Sequence, residues 1–541
     1  MRKLPLLGDE AIAQGAIDAG LSEIYAYPGT PSTEITEFVQ RSKEAKAKNI
    51  RSSWSTNEKT AMEAALGMSY AGKRAMVCMK HVGLNVAADA FINSAITGVN
   101  GGLIVVAADD PSMHSSQNEQ DSRFFGKFAM IPVLEPSNQQ EAYDMVHYGF
   151  EISEKYRYPV LMRITTRLAH SRADVAIENR NQQNEIQIPE NLKQFVLLPA
   201  FARKNYNRLI EIQSSFQYES LNSGFNTYFE GTNKNLGIIV SGIAYNYLLE
   251  NIGSAKSDYP ILKITQYPLP SELIKKIYDD CKSLLVIEEG YPFIEESISG
   301  ILSNGKQIKG RLDGTLPRVG ELEPSLVAKA LNLEIPVGFA IPEIVVSRPP
   351  SLCGGCPHID SFNALNEALQ DFTPGRVFSD IGCYALGALP PFDLINSCVD
   401  MGASVTMAKG ASDAGLVPSV AVIGDSTFTH SGITGLIDAV QDKTPITVII
   451  LDNLTTAMTG GQLSQATGRI EEICKGIGVE EEHIRIFTPL KKNHSENVKV
   501  IREEMNYKGV SVIIPRRECV VTITKKTKEA RAAKSKTEDK E

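Results

Sequence analysis

Two polar residues follow two consecutive apolar segments in the C-terminal third of this 541-residue chain. Residues 420–423 run into Gly424-Asp425-Ser426, and after 26 further residues Asn453 follows the apolar segment 447–451. If both segments are parallel strands, Asp425 and Asn453 lie at the carboxyl edge of one sheet, where such sheets bind ligands. A carboxylate, an amide oxygen and the backbone carbonyl of Thr455 are hard oxygen ligands, which suit Mg²⁺ bound to a diphosphate. Gly-Asp-Ser is also typical of a plain strand-to-helix turn with Asp as the N-cap.

Gly460-Gly461-Gln462 lies shortly after the second apolar segment, 447–451. Because glycine has no Cβ, its backbone N–H can approach a phosphate oxygen closely. We therefore expect Gly460 and Gly461 to belong to the same site.

Three cysteines form a second group, with Cys353 and Cys356 in a C-x2-C pattern and Cys383 after the apolar segment 377–380. The C-x2-C pair alone fits a redox dithiol, half of a zinc site or a pair without chemistry. Cys383 adds a third thiol, and thiolates are the usual ligands of iron–sulfur clusters. A fourth ligand is needed, for which Cys519 is the first candidate and Cys398 the second. His358, just after the C-x2-C pair, is interpreted as a pocket or structural residue.

Further candidates follow strand-like segments of the N-terminal part. Thr30, in Tyr27-Pro28-Gly29-Thr30-Pro31, suits the N-cap of a helix that begins at Pro31. Glu58 lies in the first turn of another helix, where a carboxylate often only compensates the helix dipole. His81 and His114 each follow a strand and face either a substrate or solvent. Arg123 pairs with a carboxylate or is an ordinary surface arginine.

Apolar segments alternate with helical stretches along the whole chain, which predicts α/β blocks with parallel sheets. The predicted strands span residues 23–27, 75–79, 103–107, 160–164, 236–240, 284–288, 377–380, 420–423, 447–451 and 510–514. Polar segments at 179–190 and 222–235 enclose a connector with one helix over 200–217, and three prolines break the pattern within 341–350. Three α/β blocks result.

Composition limits the classes of partner. With 64 acidic and 55 basic residues and a net charge of -9, the chain has no broad basic field, so we expect no nucleic-acid partner. The sequence has neither a secretory apolar segment nor a run of about 18 apolar residues, so we expect no membrane association and a cytoplasmic location. Residues 525–541 are highly charged and are expected to be a disordered tail.

The motifs together resemble one known family. Gly424-Asp425-Ser426 with Asn453 is similar to the thiamine diphosphate signature, with Ser426 in place of the commoner third glycine. The whole set resembles the alpha subunit of indolepyruvate (arylpyruvate) ferredoxin oxidoreductase over nearly all of residues 4–522. Its members in this sequence are Leu7-Gly-Asp-Glu-Ala-Ile-Ala-Gln-Gly15, Tyr27-Pro-Gly-Thr-Pro-Ser-Thr-Glu-Ile35, Cys353-Gly-Gly-Cys-Pro-His358, Asp380-Ile-Gly-Cys-Tyr384 and Leu451-Asp-Asn-Leu-Thr-Thr-Ala-Met-Thr-Gly-Gly461.

The resemblance implies three thiamine diphosphate-binding or transketolase-like domains, with the cofactor between the first and the third. They are a pyrimidine-binding domain (1–195), a connector (196–235), a transketolase C-terminal-like domain (236–345) and a diphosphate-binding domain (350–524), followed by the charged tail (525–541). It implies that Thr30 approaches the substrate and that Glu58 faces the aminopyrimidine ring. It also implies that Cys353, Cys356 and Cys383 hold the cluster nearest the cofactor.

The implied activity is oxidative decarboxylation of aryl 2-oxoacids to acyl-CoA, with electrons passed to ferredoxin or a similar acceptor. The implied cofactors are thiamine diphosphate, Mg²⁺ and at most one [4Fe–4S] cluster. The implied partners are a small beta subunit and a second copy of this chain. The family usually continues into a segment with two C-x2-C-x2-C-x3-C-P runs, which are absent from this sequence, so we expect electrons to leave through the cluster or directly to a partner.

Two alternatives remain at this point. A non-oxidative thiamine diphosphate-dependent decarboxylase would need Glu58, Asp425 and Asn453 but no cluster. A non-catalytic scaffold subunit would keep the fold without binding the cofactor.

Overall fold

The computed structural model describes residues 2–178, 182–253, 257–300, 305–335, 338, 340–346 and 350–528. The chain divides into two compact units, Met1–Ala340 and Ile341–Glu541. Segments rich in Val, Ile and Leu form buried strands that pair mainly in parallel, as expected for strands covered on both faces. The predicted α/β class is confirmed, and every predicted strand is present to within one or two residues.

The N-terminal sheet of the first unit carries the strands that precede Thr30, His81 and His114. In spatial order it runs β12 (Gln266–Tyr267), β6 (Val133–Leu134), β7 (Val160–Thr165), β5 (Leu103–Asp109), β4 (Ala75–Lys80), β2 (Glu23–Ala26) and β3 (Arg51–Trp54). Its pairs are parallel except for β12 with β6. Beside it, β1 (Arg2–Leu7) and β8 (Arg172–Ile177) form an antiparallel ribbon.

The middle sheet also belongs to the first unit. It runs β14 (Gln307–Lys309), β13 (Ser283–Ile287), β10 (Leu236–Ser241), β11 (Ile261–Ile264) and β9 (Thr227–Phe229). Only its edge pair, β11 with β9, is antiparallel among the described pairs.

The C-terminal sheet forms the second unit. It runs β16 (Ser397–Cys398), β15 (Val377–Ser379), β17 (Val420–Gly424), β18 (Thr447–Leu451), β20 (Ser511–Pro515) and β19 (Ile484–Phe487), with parallel pairing throughout these strands.

Helices connect and cover the strands. In the first unit they are α1 (Gly8–Asp18), α2 (Thr33–Arg41), α3 (Lys43–Ala47), α4 (Glu58–Tyr70), α5 (His81–Thr97), α6 (Arg123–Ala129), α7 (Gln139–Tyr156), α8 (Thr166–His170), α9 (Pro199–Glu211), α10 (Gln213–Asn222), α11 (Ala244–Ile252), α12 (Ser271–Asp280), α13 (Phe293–Ser299) and α14 (Pro324–Ala330). In the second unit they are α15 (Pro357–Ala368), α16 (Ala403–Asp413), α17 (Asp425–Thr427), α18 (Ile433–Asp442), α19 (Ile470–Ile477), α20 (His494–Asn506) and a further helix at 520–528.

Two arginines with fully buried side chains hold the N-terminal sheet against the middle sheet. Arg163 of β7 pairs with Asp109 and Glu135 of its own sheet, and its Nη2 atom donates to the backbone carbonyl of Glu289, just after β13, at 3.0 Å. Arg123 of α6 donates to Glu288, the residue after β13, at 2.8 Å. Because a buried charge needs a partner, these ion pairs fix how the two sheets meet. Arg123, which the sequence could not distinguish from a surface arginine, is a core residue.

The structure corrects two details. The segment expected to hold one helix over 200–217 contains α9 and α10. Residues 525–528, expected to begin a disordered tail, continue the helix at 520–528, where Lys526 pairs with Glu518 and the Thr527 hydroxyl donates to the carbonyl of Ile523. The rest of the expected tail lies outside the described residues.

Within the described residues, we find no helix whose length and hydropathy would allow it to cross a membrane.

Candidate active site

Asp425 and Asn453 lie at the carboxyl edge of the C-terminal sheet. Strands β17 and β18 pair in parallel with Gly424 opposite Leu451, so the two residues follow neighbouring strand ends. Both side chains are buried. After Asp425, a π-helical turn, Phe428–Gly432, interrupts the helix formed by α17 and α18, and such turns are frequent at functional sites.

The carboxylate of Asp425 is only half satisfied. Its Oδ2 atom is buried and has no hydrogen-bond partner among the described residues. Burial, and next the charge of nearby Asp452, raise the pKa of Asp425 to about 7, against hydrogen bonds from Ser426 and Ser464 that lower it. A cation beside Oδ2 would satisfy this atom and favour the ionised carboxylate. The residue therefore fits the Mg²⁺ ligand that the sequence predicts.

His358 orients the amide of Asn453. The Asn453 Nδ2 atom lies 3.4 Å from His358 Nε2, and Asn453 Oδ1 accepts the backbone N–H of Thr455 at 3.2 Å. Burial, and next the charge of Arg517, lower the pKa of His358 to about 4. The imidazole is thus neutral and accepts from Asn453, so His358 positions a candidate metal ligand.

The loop after β18 is joined to the loop after β17. Thr456 Oγ1 donates to Ser426 Oγ at 2.9 Å. Gly460 and Gly461 have φ values of 119° and 88°, a region that favours glycine. Their N–H groups donate to Ala457 and Thr456 carbonyls within the loop. In this conformation the glycines are needed for the backbone turn. The sequence predicted that their amides would be open to a phosphate, but both amides are bonded within the loop.

Gly424 is required by a close contact. A Cβ atom there would stand 2.6 Å from Cε1 of Tyr384. The Tyr384 hydroxyl in turn donates to buried Asp380, whose carboxylate also accepts from Ser404. The Asp380–Tyr384 motif therefore packs directly against the strand end that presents Asp425.

Four cysteines share one cavity of about 160 Å³ in the second unit: Cys353, Cys356, Cys383 and Cys519. Asn453 lines the same cavity, and its backbone carbonyl accepts the N–H of Cys519 at 3.1 Å. This contact brings in a cysteine that is remote in sequence. Cys398 is exposed, is not among the residues lining the cavity, and its Sγ lies 3.5 Å from the carbonyl of Asp380.

The thiols influence one another electrostatically. Burial, and next the three other cysteines of the cavity, raise the pKa of Cys383 to about 11. Burial also raises the pKa of Cys356. Among the described residues, no three of these Sγ atoms lie within 4.8 Å of one another, a spread wider than a single tetrahedral zinc ion requires. Bound iron would favour the thiolates, so the set fits a cluster better than a single ion.

Glu58 is the first residue of α4, and its side chain is buried. Asn57 caps the helix by accepting the N–H of Thr60. The carboxylate packs against Gly83 of α5, where a Cβ atom would stand 2.5 Å from Glu58 Oε1. Glu58 can take this position only because residue 83 has no side chain.

His81 begins α5 and is fully buried. Its Nε2 atom lies 3.1 Å from the backbone carbonyl of Asn118, which makes Nε2 the donor. The Nδ1 atom is buried without a hydrogen-bond partner among the described residues. Nδ1 is therefore an acceptor without a partner among the described residues, two positions before Gly83 in the helix.

Thr30 does not cap a helix as predicted. The helix begins at Thr33 with Ser32 as its N-cap. The Ser32 N–H and hydroxyl both donate to the carbonyl of Gly29, and Thr33 Oγ1 accepts the N–H of Gly29. These bonds form a turn before the helix, which leaves Thr30 half-buried at its tip.

His114 lies in an exposed ionic group. Its Nε2 atom is 3.3 Å from Glu321 Oε2, and Arg167 pairs with the same carboxylate at 2.6 Å. His114 is thus exposed to solvent, which favours the alternative that it is a solvent-facing loop histidine.

The sequence analysis gave no role to Lys80, the residue directly before His81. This residue ends β4, and its Nζ atom donates to the carbonyl of Ser115 at 2.6 Å. Ser115 Oγ lies 3.4 Å from the carbonyl of Thr30. Burial lowers the pKa of Lys80 to about 8, against the charge of Asp110. The position directly before His81 was the signal that could have identified it.

Comparison with known proteins identifies the family of this chain. The family described as pyruvate flavodoxin/ferredoxin oxidoreductase, thiamine diP-bdg, matches residues 14–207, and the thiamine pyrophosphate enzyme C-terminal TPP binding domain matches residues 380–514. The indolepyruvate oxidoreductase subunit IorA of Pyrococcus abyssi is 40% identical over 95% of this chain and 85% of that protein. This chain belongs to the IorA family.

A second IorA relative, from Archaeoglobus fulgidus, is 38% identical over 96% of this chain and 87% of that protein. A solved 2-oxoglutarate:ferredoxin oxidoreductase from Magnetococcus marinus has a TM-score of 0.49 at 17% identity, covering 61% of this chain and 65% of that one, which is too distant to support a conclusion. The family resemblance seen in the motifs is confirmed, and both family matches of this IorA-family chain are thiamine diphosphate-binding domains.

The contact between Glu58 and Gly83 can be tested with two glycines of adjacent helices. Gly83→Ala should displace the Glu58 carboxylate and lower the free energy of unfolding by about 1–3 kcal/mol, because the added methyl group overpacks the contact. Gly67→Ala, on α4 with open space around its Cβ, should stabilise by up to about 1 kcal/mol through helix propensity. Urea denaturation of both variants checks this, and equal effects would contradict the contact.

Proposed function

We propose that this chain is the thiamine diphosphate-binding alpha subunit of an indolepyruvate-type 2-oxoacid:ferredoxin oxidoreductase. The observation that carries the proposal is the cavity in which four cysteines and Asn453 meet, because it joins a cluster site to the predicted diphosphate edge. Membership of the IorA family supports the same reading. A non-oxidative decarboxylase would not need these thiols, and a scaffold would need neither them nor the unsatisfied oxygen of Asp425.

In the overall reaction, an aryl 2-oxoacid, coenzyme A and two oxidised ferredoxins yield an acyl-CoA, carbon dioxide, two reduced ferredoxins and a proton. Bound thiamine diphosphate supplies a nucleophilic carbon and accepts the electron pair left by decarboxylation. We propose a beta subunit and a second copy of this chain as partners. We propose the cytoplasm as its location, because reduced thiols persist there.

For the cofactor's diphosphate end, the proposal assigns Asp425, Asn453 and the carbonyl of Thr455 to Mg²⁺. Around them, Gly424, Ser426, Gly460 and Gly461 shape the two loops, and His358 holds the amide of Asn453. Asp425 brings the formal negative charge to the metal, whereas Asn453 brings a neutral oxygen.

Asp425→Ala should therefore weaken Mg²⁺ and thiamine diphosphate binding more than Asn453→Ala does. Calorimetric titration with the metal and cofactor measures both affinities. Asp438→Ala, an exposed change on α18, is the matched control. Wild-type affinity in Asp425→Ala would remove this residue from the site.

Glu58 is proposed to hold a proton at the aminopyrimidine ring, in keeping with its burial at the start of α4. Its role is proton transfer and not anchoring, so it should affect turnover more than affinity.

Glu58→Ala should leave thiamine diphosphate affinity close to wild type but slow exchange of the C2 proton of the bound cofactor by about 10²-fold or more. Exchange is followed by NMR in deuterated buffer. Glu63→Ala, on the exposed face of the same helix, should exchange at the wild-type rate. Unchanged exchange in Glu58→Ala would show that the assignment is wrong.

Cys353, Cys356, Cys383 and Cys519 are proposed to ligate one [4Fe–4S] cluster. Iron would stabilise the thiolates that burial and mutual repulsion disfavour. The described cysteines elsewhere do not line this cavity.

Anaerobically purified protein should contain about four irons per chain and show the EPR signal of a reduced cubane. Cys383→Ser should lose most of this iron, whereas Cys398→Ser should keep it. More than one cluster per chain, or full oxidoreductase activity with the beta subunit and no iron, would contradict the assignment.

Thr30, His81 and Lys80 are proposed to face the substrate, with Lys80 attracting its carboxylate. The Lys80 ammonium group keeps a donor free after binding Ser115, since an ammonium has three. His114 faces an exposed ionic group and is the weakest member of the predicted catalytic set.

The KM for an aryl 2-oxoacid should rise above about pH 8, because the lowered pKa of Lys80 means that its charge is lost there. Lys80→Met should raise KM roughly 10-fold or more with little change in kcat, as a charged hydrogen bond is lost. Lys59→Met, at an exposed ion pair, is the control. An unchanged KM and pH profile in Lys80→Met would exclude this role.

A further inference from the structure

A second carboxylate of this chain is buried without a partner, far in sequence from Asp425. Asp9 is fully buried in the first turn of α1, and neither of its carboxylate oxygens has a hydrogen-bond partner among the described residues. Its neighbour Glu10 contrasts with it, since Arg41 binds one oxygen of Glu10 at 2.6 Å and Arg172 lies 3.4 Å from the other. A lone buried carboxylate is strongly disfavoured unless a cation or a proton satisfies it.

Two further metal-ligating side chains face Asp9. They are Glu34 in the first turn of α2 and His170 at the end of α8, and ligand atoms of the three residues all lie within 4.8 Å of one another. His170 Nε2 is 3.6 Å from Glu34 Oε1, and Glu34 Oε2 is buried without a hydrogen-bond partner among the described residues. One ligand atom from each residue therefore lies within reach of a single ion, with Asp9 fully buried and the side chains of Glu34 and His170 34% and 37% exposed.

Backbone packing builds this arrangement. A Cβ atom at Gly8 would stand 2.2 Å from the carbonyl oxygen of Leu168, so only glycine lets α1 start this close to α8. The Gly8 N–H also donates to the carbonyl of Ser171 at 3.3 Å. These contacts on either side of His170 hold Asp9 opposite the imidazole.

We propose that Asp9, Glu34 and His170 bind a divalent transition-metal ion that links α1, α2 and α8. Two carboxylates and a neutral imidazole balance the charge of such an ion, and mixed nitrogen and oxygen ligands suit Mn²⁺, Fe²⁺ or Zn²⁺. Ligands on opposite sides of one ion stand about 4.2 Å apart, because each bond is about 2.1 Å long. Only small side-chain shifts are needed to reach that distance. Since Glu34 lies four residues after Thr30, the ion would also fix the turn that presents Thr30.

Mn²⁺ is the probe for this site, because thiolates bind it poorly and the cysteine cavity then does not compete. The full chain is freed of metal with a chelator, and bound Mn²⁺ is counted from the loss of the free-ion EPR signal. Asp9→Asn should bind one ion fewer per chain than wild type. Asp9→Asn added to Asp425→Ala should again remove one ion, so the result does not depend on whether Asp425 binds metal.

His170→Gln and Glu34→Gln should also lose this ion. The control is His483→Gln, taken from the exposed group of Glu480, Glu482 and His483, where His483 already pairs with Glu504. This variant should keep the wild-type count. An unchanged count in Asp9→Asn or in His170→Gln, or an equal loss in His483→Gln, would overturn the site.

Thermal melting gives an independent readout of the same site. In the chelator, Asp9→Asn should melt no lower than wild type, because it replaces an unpartnered buried carboxylate with a neutral side chain of the same shape. Saturating Mn²⁺ should raise the Tm of Asp425→Ala but not that of the double variant Asp425→Ala with Asp9→Asn. If Asp9 instead shares a proton with Glu34, saturating Mn²⁺ will change the Tm of both proteins by the same amount, and the metal site is excluded.

Discussion

A carboxylate taken out of water needs a cation, a proton or several hydrogen-bond donors, and this constraint organises the chain more than any other. Where the constraint is met internally, the charge is structural. Arg123 with Glu288 joins two sheets in this way, and Asp380 is satisfied by Tyr384 and Ser404. Where it is not met, the molecule has room for a ligand. Asp425 is the example at the predicted diphosphate edge, since one of its oxygens is buried without a partner in the described residues.

Glycines determine how closely the functional groups approach. Gly83 leaves the space that the Glu58 carboxylate fills, Gly424 admits the ring of Tyr384, and Gly8 allows α1 to start against α8. None of these three residues has a positive φ value, so each is required for space and not for backbone conformation. The positive φ of Gly460 and Gly461 is a different requirement, because there the chain must turn after β18. Both uses follow from the absence of a Cβ atom.

Membership of the IorA family and the geometry of the second unit support each other. The family match covers nearly the whole chain, and the four-cysteine cavity reaches the residue that the signature places beside the diphosphate. The link between them is a single backbone hydrogen bond, from the N–H of Cys519 to the carbonyl of Asn453. A cluster there would lie next to a candidate cofactor ligand, which is what electron transfer from the cofactor requires.

The sequence by itself determined the α/β class, the strands, and the position of Asp425 and Asn453 after two strands of one sheet. Apolar runs and the residues that end them are local patterns, which can be recognised without tertiary contacts. It did not determine which distant residues meet. Only the packing of separate elements decided the surroundings of Cys519, Lys80 and the fully buried Arg123. The helix after Thr30 begins at Thr33, because hydrogen bonds within the preceding turn outweigh the capping preference. Burial and partner choice are properties of the packed fold, and a linear pattern does not encode them.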